Sequence, residues 1–200
     1  MKIQIKSRRF FGLFFIVLMF LIVGSCKHDY YPKPRGYFRI GLPEKNYIRF
    51  DTSYPYSFEY PDYAKTVVDD DPNTESYWIN IVFPQFKGKI HISYKKINNN
   101  LAEYLEDSRT LVLKHIPKAS SIANKQYENP EQRVFGLTYD ISGTEVASPY
   151  QFYLTDSVKN FIRGALYFKT VPNNDSLAPV IKFIEADISH MIETFKWRDK

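Results

Sequence analysis

Cys26 is the one cysteine of this 200-residue chain, and its neighbours specify a chemistry. It follows Leu21-Ile22-Val23-Gly24-Ser25, at the end of an uncharged run from Phe10 to Val23 that Lys2, Lys6, Arg8 and Arg9 precede. A basic start, a short apolar stretch and small residues at the cut describe a secretory signal. Gly24 and Ser25 leave the backbone open to processing enzymes, and the Cys26 thiol is a nucleophile able to accept a diacylglycerol. Cleavage between Ser25 and Cys26 frees an amine for a further acyl chain. A membrane span needs about 20 apolar residues, and this run is shorter. A buried thiol is a common fate for a free cysteine, but the end of a signal is not a core position.

Other reactive side chains form no recognisable set. His28, His91, His115 and His190 lack metal-ligand spacing, and no HExxH motif, nucleophile elbow or phosphate-cradling glycine loop occurs. His115 falls near a helix end, where the dipole accounts for it. Asp69-Asp70-Asp71 invites a calcium reading, yet a binding loop needs spaced ligands and a turn glycine, so a solvated loop is expected. Glu106-Asp107 lies on an expected solvent face. No catalytic residue, metal site or cofactor is anticipated. Gln151, Tyr153 and Thr155 share one face of a strand, and Arg163 lies in the next. That polar strip is either a partner surface or a solvent face.

Composition narrows the classes. Removing residues 1–25 takes away four basic residues and no acidic one, so the formal charge falls from +5 to +1. The basic character belongs to export and gives no case for a nucleic-acid partner. With Cys26 lipidated, no internal disulfide is available. All 16 tyrosines lie beyond the signal; rings of this kind suit half-buried sheets. The alternative is a sugar- or small-molecule-binding platform, which an exposed coplanar row of rings would favour.

These residues need elements to position them. Residues 26–36 read as a lipidated cysteine and a tether, since Pro32 and Pro34 favour extended backbone. A globular part, 37–200, follows. Tyr37–Ile40, Tyr56–Tyr60 and Ala64–Val68 are expected strands. In the clearest hairpin, Tyr77, Ile79, Ile81 and Phe83 alternate with Trp78, Asn80 and Val82, and Ile90, Ile92 and Tyr94 return after a turn at 84–88. Asn100 and Glu103 form an expected capping box for a helix that ends before Pro117. Strands at 122–128, 133–142, 150–155 and 161–170 follow. A last helix, 176–195, carries an apolar stripe from Leu177 to Phe195, with Glu185, Asp187 and Glu193 on its polar face. The expected fold is α+β: one mostly antiparallel sheet with two amphipathic helices packed on it. Its element order resembles the PsbP/Mog1-like arrangement.

Several segments together resemble a known family. Tyr31-Pro32-Lys33-Pro34-Arg35-Gly36-Tyr37, Trp78-Ile79-Asn80-Ile81, Leu105-Glu106-Asp107-Ser108-Arg109 and Gln151-Phe152-Tyr153-Leu154-Thr155-Asp156-Ser157 look like the gliding-motility lipoprotein family GldD. So do Arg163-Gly164-Ala165-Leu166-Tyr167-Phe168 and Glu193-Thr194-Phe195-Lys196-Trp197. The resemblance implies a cell-envelope lipoprotein needed for gliding and the linked type IX secretion machinery. It also implies a membrane partner, the CBS-domain protein GldE. It brings no active site beyond the lipidated cysteine. The expectation is a non-enzymatic lipoprotein acting through protein contacts, held at a membrane by its lipid and facing the periplasm. Lys27 and His28 after the cysteine give no acidic sorting signal, so the inner and outer membranes both stay open.

Overall fold

The computed structural model describes residues 39–69 and 71–198. Cys26, Ser25, the signal and the tether lie outside these residues, as do Tyr37 and Phe38 of the first expected strand. Arg39 and Ile40 are not in a strand. The first strand is instead β1, Tyr47–Phe50, followed by β2 (Tyr56–Pro61), β3 (Lys65–Val68), β4 (Ile79–Phe83) and β5 (Gly88–Lys96). Helix α1 (Leu101–Leu113) leads to β6 (Ser121–Asn129), β7 (Val134–Ser142), β8 (Tyr150–Thr155) and β9 (Asn160–Phe168). Helix α2 (Asn174–Glu193) and the short β10 (Lys196–Trp197) close the chain.

All strand pairs among the described residues are antiparallel. The main sheet has the order β3-β4-β5-β9-β8-β7-β6, and β1-β2-β10 form a small second sheet. The chain leaves β5, crosses with α1 to the far edge at β6, and returns by short turns until β9 pairs with β5. This is the antiparallel α+β architecture with two helices that the periodicity anticipates, with its strands divided between a main and a small sheet.

Alternation along the strands gives each face its helix. Ile79, Ile81, Phe83, Ile90, Ile92, Phe152, Leu154, Ile162 and Leu166 form one core with Val180, Ile184, Ile188, Met191 and Ile192 of α2. Phe50, Tyr56 and Phe58 of the small sheet join it, and Phe58 stacks on Phe195. The opposite face is thinner: Val112 of α1 packs with Tyr139, Ile141 and Val146, and Tyr104 meets Phe161 at 5.5 Å. Gly164 is required by the first core. It pairs with Phe152 across the β8–β9 ladder, and a Cβ there would lie 2.1 Å from the ring.

The helix ends differ from the expected caps. Asn100 makes no side-chain cap; its Oδ1 accepts from the Asn98 amide, 2.8 Å away. That local turn occupies the side-chain oxygen that a capping box would aim at the Glu103 amide. Helix α2 is capped instead by Asn173, whose side chain accepts from the Ser176 amide. Because the helix starts at Asn174, Pro179 lies inside it, past the first turn, where it has no N–H to give the helical ladder.

Candidate functional site

The strip read from the sequence is assembled, but it lies largely inside. Gln151 is 1% and Thr155 5% exposed, while Tyr153 is half-buried. Arg163 faces Tyr153 in register, and its guanidinium donates to Gln151 Oε1 at 2.5 Å. Tyr153 stacks on Phe161 at 5.6 Å. Thr155 Oγ1 donates to the Asn160 carbonyl and accepts from the Ser157 amide, so it builds the β8–β9 turn. The physical reason is coverage: α1 crosses this face, and what reads as solvent alternation is its packing bed. Burial lowers the Arg163 pKa from its ordinary value. His115 lies beyond the last residue of α1. Burial, then the nearby Arg163 charge, lowers its pKa, opposite to the effect of a helix dipole.

A second cluster was hidden by the helix reading. Asp187, expected on the polar face of α2, is 2% exposed. It follows Ile184 by three residues and precedes Met191 by four, so it shares their face. Its Oδ1 accepts from Lys45 Nζ at 2.5 Å and from the Tyr47 hydroxyl at 3.1 Å. The Tyr63 hydroxyl donates to Oδ2 at 2.6 Å. Lys45 also donates to the Phe183 carbonyl and lies over the Phe183 ring, 3.9 Å from its centroid. Burial, then the Asp187 charge, pushes the Tyr47 phenol up to about 12. Burial and the Asp187 hydrogen bond raise Tyr63 as well. Glu185, on the same helix, is half-buried; burial, then the Asp140 charge, raises its pKa.

Two histidine–carboxylate pairs occur. His91 Nε2 lies 2.7 Å from Asp69, and His190 Nε2 lies 2.8 Å from Glu59. The His190 ring stacks on Tyr47 at 3.6 Å. The nearby Thr194 hydroxyl donates to the His190 carbonyl rather than the ring. The Asp71 side chain accepts from the Asn73 amide. Among the described residues, no three His, Cys, Asp or Glu side chains are placed to hold a metal ion. No described helix is long and apolar enough to cross a membrane.

The open site is a groove of about 870 Å³ at the end of β5, lined in part by Thr74, Tyr77, Tyr94, Lys96, Lys159 and Arg198. Tyr77, expected in line with Ile79, instead has φ 71°, outside any strand. A bulky side chain rarely adopts this left-handed backbone, and such strain concentrates at functional positions. The buried Tyr56 hydroxyl holds it by donating to the Tyr77 carbonyl at 2.5 Å. Tyr77 is 37% exposed, and its ring meets Tyr94 at 88° and Tyr54 at 69°. The rings form corners rather than a coplanar row. Around them, Lys95 is paired with Glu75, and Arg198 with Asp51 and the Thr52 carbonyl. Sequence patterning cannot place this groove, because its walls come from Pro55 before β2, the 74–77 loop, β5, the start of β9 with the turn before it, and Arg198 after β10. The positive φ at Tyr77 has no signature in an otherwise regular strand alternation.

Among solved structures, the chain is similar to the cyanobacterial PsbP protein CyanoP from Synechocystis sp., with a TM-score of 0.46 and 12% identity over 80% of this chain and 97% of that one. No curated protein matches the sequence. The family model described as gliding motility lipoprotein GldD matches residues 27–197. That match takes in every element described above and starts one residue after Cys26, and the chain belongs to the GldD family of gliding motility lipoproteins.

Proposed function

We propose that this chain is an exported, non-enzymatic lipoprotein that serves the gliding apparatus and the linked type IX secretion machinery through protein contacts. Residues 1–25 are its signal, Cys26 carries the lipid after cleavage behind Ser25, and residues 27–36 space the domain from a membrane in the envelope. The CBS-domain membrane protein GldE is the partner that the family resemblance implies. The observation that carries the reading is the family match across 27–197, placed directly behind a cysteine with an uncharged apolar run in front of it.

Asp187 is engaged by three donors, and neither histidine–carboxylate pair has a Ser or Thr hydroxyl bonded to its ring. Nothing in these pairs activates a nucleophile. Of the strip at Gln151, Tyr153, Thr155 and Arg163, only the partly exposed Tyr153 and Arg163 are open to a partner.

Two acyl chains or more hold a protein stably, whereas one binds reversibly. In cells with Cys26→Ser as the sole copy, the protein loses its palmitate label, leaves the membrane fraction, and gliding fails. An unlabelled protein that still supports gliding at the normal level contradicts the proposal.

A further inference from the structure

We infer that the Tyr77 groove docks an acidic segment of a protein partner, an inference that rests on the protein-contact reading and supplies its surface. Charge complementarity is the first argument. Lys95 and Arg198 are neutralised by Glu75 and Asp51, but the Lys96 and Lys159 ammonium groups have no acidic partner among the described residues. The two are neighbours across the ladder. Lys96 pairs with Asn160, and the Ile97 amide donates to the Lys159 carbonyl at 2.8 Å. Both lysines line the groove, and a carboxylate seated in it meets two cations that no acid among the described residues neutralises.

The second argument is the shape and lining of the groove. Its volume of about 870 Å³ takes several side chains at once. Tyr77 and Tyr94 meet nearly at right angles, which frames a niche for an apolar side chain but offers no flat platform for a sugar ring. The Arg198 guanidinium, tied to Asp51 and the Thr52 carbonyl, gives the groove a fixed rim. A strained Tyr77 held by Tyr56 presents the aromatic wall in one conformation before binding, which lowers the ordering cost of association.

The test uses the full-length lipidated protein in detergent micelles and a short fluorescein-labelled peptide of alternating Glu and Phe, read by anisotropy. Saturable binding is expected, weakening with salt and by about tenfold or more in the double variant Lys96→Glu, Lys159→Glu. The same peptide with Gln for Glu binds at least about tenfold more weakly. No saturable binding, equal binding by the double variant, equal binding of the Gln peptide, or preference for polygalacturonate over the peptide overturns the inference. A photo-cross-linking residue at Ser76 in cells separates it from the wider reading. An Asp/Glu-rich partner peptide captured from Ser76 supports the groove. Capture only from the sheet edge at Lys125 overturns the groove and leaves the protein-contact reading standing, and capture from neither position counts against both.

Discussion

The Asp187 cluster and the Tyr77 groove are built from the same residue types, yet one is closed and the other open. In the first, one buried carboxylate receives Lys45, Tyr47 and Tyr63, and the cluster ties the segment before β1 to α2. In the second, Glu75 and Asp51 are already paired with Lys95 and Arg198, two lysines are left over, and the backbone at Tyr77 is strained. Tyrosine, lysine and acid together therefore do not mark a site. What distinguishes the groove is surplus charge and stored strain, where the cluster has a balanced account of donors and acceptors.

The largest effect that sharpens this contrast comes from opening the closed cluster. Lys45→Ala leaves the Asp187 carboxylate buried without its cation, and urea unfolding should show a loss of about 3 kcal/mol. A loss below about 1 kcal/mol, the range of an exposed pair, breaks the comparison. A pH series on the wild type tests the same cluster without mutation. The folded pKa values of Tyr47 and Tyr63 are raised above the unfolded value of about 10. The stability they contribute is complete below that value and is lost as pH rises through the folded values, about 12 for Tyr47. Unfolding midpoints should therefore fall as pH climbs past about 10; midpoints indifferent to that change show that the phenols are not enclosed.

Smaller effects belong to the groove. Tyr77→Gly deletes a ring but relieves the left-handed backbone, and the opposed terms should leave the unfolding free energy within about 1 kcal/mol of wild type. A loss of about 3 kcal/mol identifies Tyr77 as core packing. Smallest of all, Lys96→Glu with Lys159→Glu should change stability by about 0.5 kcal/mol or less, since both groups are exposed. A larger loss means that the lysines are structural.

Much of the fold was legible because its signals are local. The alternation through β4 and β5, the helical spacing of α2 and the run 150–155 each encode one face of one element. β1 was missed because Tyr47-Ile48-Arg49-Phe50 is short, and its buried face is completed only by β2 and α2. The role of Asp187 was obscured by reading its charge before its helical position, and its partners Lys45 and Tyr63 are distant in sequence. The strip at Gln151, Tyr153, Thr155 and Arg163 was legible as one neighbourhood, but alternation does not tell solvent from a covering helix. The groove was not legible at all, because it depends on a backbone angle and on five separate stretches of chain.

The central claim is that this lipoprotein works through the open groove while the closed cluster serves the fold. Colony spreading by cells whose sole copy carries Lys96→Glu and Lys159→Glu, with membrane amount and thermal stability of the protein checked in parallel, tests it most directly. The account predicts loss of spreading with wild-type protein level and stability. Wild-type spreading by the same cells contradicts it.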